Sequence, residues 1–301
     1  MKWVTRERHI AYAIVIAGSL LATGPTLAAD VDWSKVDQAL GKTGTAQPGE
    51  VHKYGLPRTD LHVTLDGVLI KPALALGGWL AFKPTGTDAM VMGDLVLGED
   101  EINPVMAKLL ASGITITAVH NHLLRAQPAT FYMHVAGQGD PVKLATAIHD
   151  ALGASKTPFG TAPAAAASPV LALDTAKLEQ TLGQKGAANG GVYQFAIPRA
   201  DTISDDGMPV PPAMGTAIAI NFQPTDGGKA AITGDFVLLA AEVNPVLQAL
   251  RQNGIEVTAV HNHMLDDQPR TFFVHFWAND DAQKLAQGLR AALDKVHVAK
   301  S

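Results

Sequence analysis

Two short segments of the chain carry the same trio of residues with side chains capable of chemistry. "TAVHNHLL" begins at Thr117 and "TAVHNHML" begins at Thr258. Each segment places two histidines on either side of one asparagine. Histidine exchanges a proton near neutral pH and is a common ligand of transition metals. The repeated trio therefore indicates metal binding or acid–base chemistry.

A third histidine follows each trio after a short loop. The segments "TFYMH" and "TFFVH" end at His134 and His275. Alternate residues of a strand share one face, so the histidines of a trio are predicted to continue the core-facing row of Ile114 and Ile116. If the two strands pair so that the numbers of opposed residues add up to an even sum, the third histidine lies on the same face. Directly opposed residues then have Cβ atoms about 5 Å apart. An odd register would place it on the opposite face, and the sequence leaves the register open.

Three converging imidazoles suit zinc or copper, because neutral ring nitrogens bind both metals and leave a further position for water, a carboxylate or a substrate. The predicted metal ligands are His120, His122, His134, His261, His263 and His275. The candidate carboxylates for coordination or proton transfer are Glu101, Glu242, Asp94 and Asp235. The structural alternatives stay open: hydrogen-bonded core histidines, glutamates at a positive helix end, and aspartates that serve turn or bulge geometry.

The elements that must position these residues occur twice. Residues 101–134 and 242–275 are identical at 19 of 34 positions when offset by 141. This period is too long for a solenoid and indicates a tandem duplication. The first repeat domain is predicted at 31–153 and the second at 176–298. Residues 154–175, rich in alanine and proline, are predicted to link them.

Within each unit the pattern predicts strands, a helix, two more strands and a closing helix. The middle helix is predicted to begin at Asn103 as its N-cap, with Pro104 at the first helical position. It is predicted to end before Gly113. Amphipathic patterns predict the closing helices at 141–152 and 282–293. These elements predict an α+β fold of two tandem homologous lobes, each a mainly antiparallel sheet with two helices, packed pseudo-symmetrically.

Residues 1–29 have the pattern of a secretory signal peptide. A basic head precedes the apolar run "IAYAIVIAGSLLA", and small residues favour cleavage after Ala28 or Ala29. The apolar run is too short to span a bilayer comfortably. The sequence therefore predicts a periplasmic or secreted protein with no stable membrane anchor.

Composition narrows the classes of function. The chain has 301 residues and a formal net charge of −5, which argues against nucleic acid and anionic lipid as partners. It contains no cysteine, so thiolate ligands, thiolate nucleophiles and an acylated cysteine are excluded. The common serine-hydrolase elbow, phosphate-binding loop and zinc-protease helix motifs are also absent from the sequence.

The blocks "GDLVLGEDEINPVM" with "ITAVHNHLL", and "GDFVLLAAEVNPV" with "VTAVHNHMLDDQPRTFFVHFWANDDAQKLAQGLRAAL", carry a family resemblance. Through them the chain resembles the LppY/LpqO-type family, exported bacterial proteins classed as a domain of unknown function. The resemblance covers nearly all of the chain after residue 29. It implies export and a tandem-domain organisation, and it implies no activity or catalytic residue.

These observations lead to three hypotheses of function. The first is a periplasmic protein that binds a transition metal or a small polar ligand through duplicated three-histidine clusters. The second is a metal-assisted hydrolase or acid–base isomerase, in which Glu101 or Glu242 moves protons. The third is a structural protein of the cell envelope with buried histidine networks. His62 and Trp79 have no counterparts in the second unit, where Ile203 and Ala219 stand, and they are the residues to suspect if only one lobe is active. The oligomeric state stays open.

Overall fold

A computed structural model describes Met1, residues 31–160 and residues 171–299. The predicted signal peptide, apart from Met1, and residues 161–170 of the predicted linker lie outside the described residues. Within these ranges, the helices are all too short or too polar to cross a membrane.

The first lobe contains four helices and eight strands. The helices are α1 (Trp33–Leu40), α2 (Pro72–Ala75), α3 (Ile102–Ala111) and α4 (Pro141–Leu152). The strands are β1 (Thr45–Gln47), β2 (Val51–Pro57), β3 (Thr64–Leu65), β4 (Val68–Leu69), β5 (Gly77–Thr85), β6 (Asp88–Gly98), β7 (Thr115–His120) and β8 (Thr130–Gly139).

The second lobe repeats this order with small changes. Its helices are α5 (Thr175–Leu182), α6 (Ala240–Gln252) and α7 (Ala282–Leu293), with 3-10 turns at Pro212–Met214 and Asp226–Gly228. Its strands are β9 (Ala187–Asn189), β10 (Val192–Pro198), β11 (Ser204–Asp205), β12 (Met208–Pro209), β13 (Ala217–Pro224), β14 (Lys229–Leu239), β15 (Glu256–His261), β16 (Asp267–Gln268) and β17 (Thr271–Asp281).

Each lobe is built on one six-stranded antiparallel sheet. The strand order is β1-β2-β5-β6-β8-β7 in the first lobe and β9-β10-β13-β14-β17-β15 in the second, so the two sheets have the same topology. This confirms the predicted fold class of two alike α+β lobes. An additional helix, α1 or α5, opens each lobe ahead of the elements that the sequence predicts, and packs on the closing helix.

The two sheets face each other, and the helices cover their outer faces. In β6, Val91, Leu95 and Leu97 pack with the helices of their own lobe, whereas the alternate residues Met90 and Met92 pack with the core of the second lobe. Because both faces of the strand are covered, β6 is buried at nine consecutive positions. The architecture is therefore helix–sheet–sheet–helix, and side chains of the inner faces meet between the lobes.

A β-bulge at Thr117 determines the face of the sheet on which the histidines of the first trio lie. Ile116 pairs with Val135, but the next ladder pair joins Ala118 to His134, so Thr117 is an extra residue in β7. Val135 packs in the lobe core, and its neighbour His134 points the other way. The prediction that the histidines continue the core-facing row is therefore wrong. They lie on the inner face, toward the opposite lobe, and an equivalent bulge lies between Val257 and Ala259.

Candidate metal centre

The six histidines form one cluster between the lobes rather than a separate cluster in each. Beyond the bulge at Thr117 the numbers of paired residues in β7 and β8 add up to an even sum, which places His120 and His134 on one face. Rings from opposite lobes then stack in three pairs: His120 on His261 at 3.6 Å between centroids, His122 on His275 at 3.7 Å, and His134 on His263 at 3.7 Å. The repeat offset of 141 exchanges the last two pairs, so the cluster has pseudo-twofold symmetry.

Two aspartates from the Gly-Asp pairs complete the cluster. Asp94 Oδ2 lies 3.7 Å from His122 Nε2, and Asp94 Oδ1 lies 3.9 Å from His134 Nε2. Asp235 Oδ2 lies 3.3 Å from His263 Nε2. Both carboxylates face the imidazoles because Asp94 is the cross-strand partner of His134, as Asp235 is of His275. Two of the four predicted carboxylates therefore join the predicted histidines.

Backbone carbonyls orient the rings. His275 Nδ1 lies 2.7 Å from the carbonyl oxygen of Gly234, which favours the tautomer with the proton on Nδ1. Its Nε2 lone pair then faces the cluster. A side chain at Gly234 would collide with the carbonyl of Ala219, so glycine is required where β13 and β14 approach. This contact explains why the aspartate is preceded by glycine.

Two threonines at the bulges hold the histidine loops across the lobe boundary. Thr117 Oγ1 donates to the carbonyl of His263 at 2.6 Å, and Thr258 Oγ1 donates to the carbonyl of His122 at 2.7 Å. Both hydroxyls are side chains of the residues that form the bulges. Each lobe therefore fixes the position of a histidine in the other lobe.

Many polar atoms of the cluster are buried without a hydrogen-bond partner in the part of the chain that the structure describes. These are seven ring nitrogens and two carboxylate oxygens: both ring nitrogens of His120, the Nε2 atoms of His122, His134, His261, His263 and His275, and the Oδ1 atoms of Asp94 and Asp235. Buried polar atoms in proteins nearly always have a partner. A group of this size at one place indicates that the cluster binds something.

Burial keeps the imidazoles neutral. It lowers the pKa of His120 to about 3, with a further contribution from His261, and it lowers the pKa of His261 to about 4. Burial and the neighbouring rings lower the pKa of the other four histidines well below its usual value. A neutral ring is the form that binds metal, so the histidines need not lose protons at pH 7.

The pKa values of the two aspartates are shifted upward, whereas those of the histidines are lowered. Burial raises the pKa of Asp94 to about 8, although Lys53 opposes the shift. Burial also raises the pKa of Asp235 well above its usual value, and the nearby Asp94 adds to the effect. Without a cation, burial therefore disfavours the charged form of both carboxyl groups.

The donor atoms fit a transition metal. One ligand atom from each of Asp235, His261, His263 and His275 lies within 4.8 Å of the others, and His120, His122 and His134 form a similar group. Two ligands of a tetrahedral zinc ion lie roughly 3.4 Å apart when the bonds are about 2.0–2.1 Å. The 3.3 Å between His263 Nε2 and Asp235 Oδ2 already matches this separation.

The predicted glutamates lie in different networks. Glu101 accepts hydrogen bonds from Arg58 at 2.7 Å and from the backbone of Gly98 and Lys156. Glu242 is bound by Arg199 in the same way. Desolvation raises the pKa of Glu101, but the Arg58 contact and the backbone donors hold it below its usual value. Both glutamates therefore serve buried ion pairs, and neither belongs to the two groups of candidate metal ligands.

A cleft of about 1070 Å³ opens onto one side of the cluster. It reaches Asp94, Asp235, His122, His263 and His275, and both lobes contribute to its walls. Lys53 and Trp79 also line it. The sequence singled out Trp79 only as a difference between the repeats, and it gave no signal for Lys53. A small molecule in this cleft could contact the candidate metal ligands.

A protein-family model matches both lobes of the chain. The model described as Domain of Unknown Function (DUF1259) matches residues 34–154 and 176–295, which is one copy for each lobe. No curated protein matches the chain. The two matched copies agree with the tandem duplication read from the sequence.

Three solved structures have low similarity to the chain. They are the trimeric bacterial microcompartment shell protein PduB (15% identity, 84% of this chain and 89% of that chain, TM-score 0.21), the double ringed trimeric shell protein MSM0271 from the RMM microcompartment (8%, 71% and 85%, TM-score 0.20), and EtuB from Clostridium kluyveri (8%, 83% and 90%, TM-score 0.19). TM-scores this low support no conclusion about the fold or assembly of this chain.

Proposed function

The chain belongs to the family described as Domain of Unknown Function (DUF1259), and we propose that its function is to bind a transition metal, zinc or copper, between its two lobes. The ligands are drawn from the six clustered histidines together with Asp94 and Asp235. The observation that carries this proposal is the group of buried ring nitrogens and carboxylate oxygens without partners. Each such atom costs about 1–3 kcal/mol, and a bound cation would remove that cost for the atoms that coordinate it.

The chemistry of the donor atoms supports zinc or copper over other ions. Imidazole nitrogen suits both metals, whereas calcium and magnesium prefer sites made entirely of oxygen. A divalent cation would also balance the charge of the two aspartates, whose charged form burial otherwise disfavours. When bound, the metal would act as a Lewis acid toward a molecule in the cleft.

Elemental analysis of protein purified without a histidine tag tests the proposal. The protein is incubated with zinc or copper and dialysed, and we expect at least one equivalent to be retained. The His62→Ala variant serves as a control because His62 is exposed and outside the cluster, so it should retain the same amount. Retention of neither metal by the folded protein would reject the proposal.

We further propose that the protein functions outside the cytoplasm, in the periplasm or after secretion. The basic head and apolar run of residues 1–29 support this, as does the resemblance to the LppY/LpqO-type exported proteins. Cell fractionation followed by mass spectrometry of the mature N-terminus tests it. We expect cleavage after Ala28 or Ala29, and an uncleaved cytoplasmic protein would contradict it.

A second candidate function, a metal-assisted hydrolase, is favoured by one observation. The cleft reaches five of the candidate ligands, so a substrate in it could contact a metal that these residues would hold, and the metal would supply Lewis-acid chemistry. Asp94 and Asp235 are better placed than Glu101 or Glu242 to move protons there. Turnover of zinc-loaded protein on generic esters and phosphate esters, compared with His122→Ala and His263→Ala, tests this function. Equal rates for all three proteins would exclude it.

A further inference from the structure

The cleft beside the cluster has walls of small residues from four strands. Gly55 and Gly78 line it from the first lobe, and Ala196, Ala217 and Ala219 line it from the second. These residues lie in β2, β5, β10 and β13. A volume of about 1070 Å³ is enough for a small organic molecule.

Lys53 gives this cleft a positive charge. Among the described residues that line it, Lys53 is the one lysine or arginine. Its Nζ donates to the carbonyl of Ala213 in the second lobe at 3.0 Å and lies 4.4 Å from the centre of the Trp79 ring. An ammonium has three donors, so two remain for another acceptor. The indole and the carbonyl hold the charge in position.

The position of Lys53 relates it to the metal centre. β2, β5 and β6 are adjacent strands, and Trp79 in β5 is the direct partner of Asp94 in β6. The β2 residue opposite Trp79 is Gly55, and Lys53 lies two residues further along β2, which places it roughly 12 Å from Asp94. Lys53, Trp79 and Asp94 form a row along the inner face of the first sheet. A molecule of modest length could therefore contact both Lys53 and Asp94.

The second lobe does not repeat this row. Gln194 in β10 occupies the position of Lys53, and Ala219 in β13 occupies the position of Trp79. The metal ligands are duplicated, whereas the cationic position is present once. This difference indicates that the cleft takes one molecule in one orientation.

We propose that the cleft binds a small organic carboxylate, with the carboxylate on Lys53 and the rest of the molecule directed at the histidine–aspartate cluster. This deepens the proposed function and rests on it for the second contact of the ligand. A single ammonium matches a singly charged carboxylate, whereas a phosphate dianion would call for more donors. The walls of glycine, alanine and proline suit an apolar body.

Titration calorimetry with benzoate, and with neutral benzamide as its comparison, tests the proposal. Zinc-loaded and chelator-treated protein are both used. We expect benzoate to bind both forms, more tightly with zinc, and benzamide to bind at least tenfold more weakly. Lys53→Gln, which installs the residue of the second lobe, should weaken benzoate at least tenfold in both forms.

Lys83→Gln is the matched control. Lys83 lies in β5 outside the cleft, and its counterpart in the second lobe is also glutamine, Gln223. We expect this variant to bind benzoate like the wild type. Equal binding by Lys53→Gln and wild type, or no benzoate binding to either folded form, would overturn the proposal. A protein that retains no zinc but still binds benzoate would contradict the metal proposal and leave the carboxylate proposal standing.

Discussion

The imidazole rings of His120 and His261 stack with centroids 3.6 Å apart, although the two residues belong to different lobes. They are the same residue of the repeated unit, offset by 141, so they lie at the pseudo-twofold axis of the molecule. Their contact places half of the candidate metal centre in each lobe. A metal bound here would therefore link the two lobes.

Zinc should therefore stabilise the whole chain, and equivalent substitutions in the two lobes should reduce this effect similarly. At a free zinc concentration 100 times the dissociation constant, the gain in unfolding free energy is about 2.7 kcal/mol. We expect His122→Ala and His263→Ala each to remove most of the rise in melting temperature. Thermal melts with zinc and with a chelator measure it.

The exposed His62 supplies the control for these melts. His62→Ala should keep the full zinc response, because the residue lies outside the cluster. A full response in both cluster variants would show that zinc binds elsewhere.

The raised pKa of Asp94 predicts the pH dependence of the metal-free protein. The carboxyl has a pKa of about 8 when folded against 3.8 for an ordinary aspartate. The folded state therefore holds this proton more tightly, and the resulting stability is full below about pH 4 and is lost as the pH rises through about 8. Asp94→Asn keeps a neutral side chain. We expect it to become more stable than the wild type as the pH rises from 5 to 8.5.

Zinc should reverse that order, because Asp94→Asn lacks a charged ligand. Urea unfolding of both proteins at each pH, with and without zinc, gives the comparison. If the difference between the two metal-free proteins stayed constant across this range, the carboxyl would not titrate as proposed.

The threonines at the bulges should contribute to stability through the lobe boundary. Thr117→Val and Thr258→Val keep the shape of the side chain but remove the donor to the carbonyls of His263 and His122. A buried carbonyl without a partner costs about 1–3 kcal/mol. We expect each variant to lose that much unfolding free energy and some zinc affinity, since the histidine loops are less restrained. Thr115→Val, on the exposed side of β7, is the control and should change little.

Local patterns in the sequence predicted the duplicated fold and the residues of the histidine–aspartate cluster. The repeated "HNH" trios and the third histidines gave six residues that the structure brings together, and the Gly-Asp pairs gave Asp94 and Asp235. The middle helix exists at Ile102–Ala111 and Gly113 follows its end with a positive φ, but the predicted start is wrong: Glu101 is the N-cap, so Pro104 is the third helical residue rather than the first. These features depend on neighbours in the chain, which periodicity and capping report directly.

Features that depend on contacts between distant residues were missed. The bulge at Thr117 reverses the faces beyond it, and its hydroxyl bonds to a carbonyl 146 residues away. Strict alternation along β7 therefore predicted the wrong face. The stacking of His120 on His261 and the opening of the cleft at Lys53 depend on how two sheets pack, which no local pattern encodes. Glu101 was named as a candidate for proton transfer. Its ion pair with Arg58 joins residues that are 43 positions apart, and no local pattern in the sequence shows that contact.

Substitution of Glu101 separates a structural role from a role in proton transfer. Its carboxylate is 5% exposed and accepts from Arg58, which is itself 1% exposed. Removing one partner of a buried ion pair typically costs about 3–5 kcal/mol, and Asp60 still pairs with Arg58. We therefore expect Glu101→Gln to lose unfolding free energy near the lower end of this range while its zinc affinity stays within twofold of the wild type.

The pH dependence of this variant gives an independent check. The pKa of Glu101 is held below its usual 4.5, so its contribution to stability is present above about pH 4.5 and is lost as the pH falls. The stability difference between wild type and Glu101→Gln should therefore shrink on acidification. Glu99→Gln is the control, since Glu99 is exposed and should behave like the wild type. A Glu101→Gln protein of wild-type stability that lost zinc binding or turnover would instead place Glu101 in the chemistry of the site.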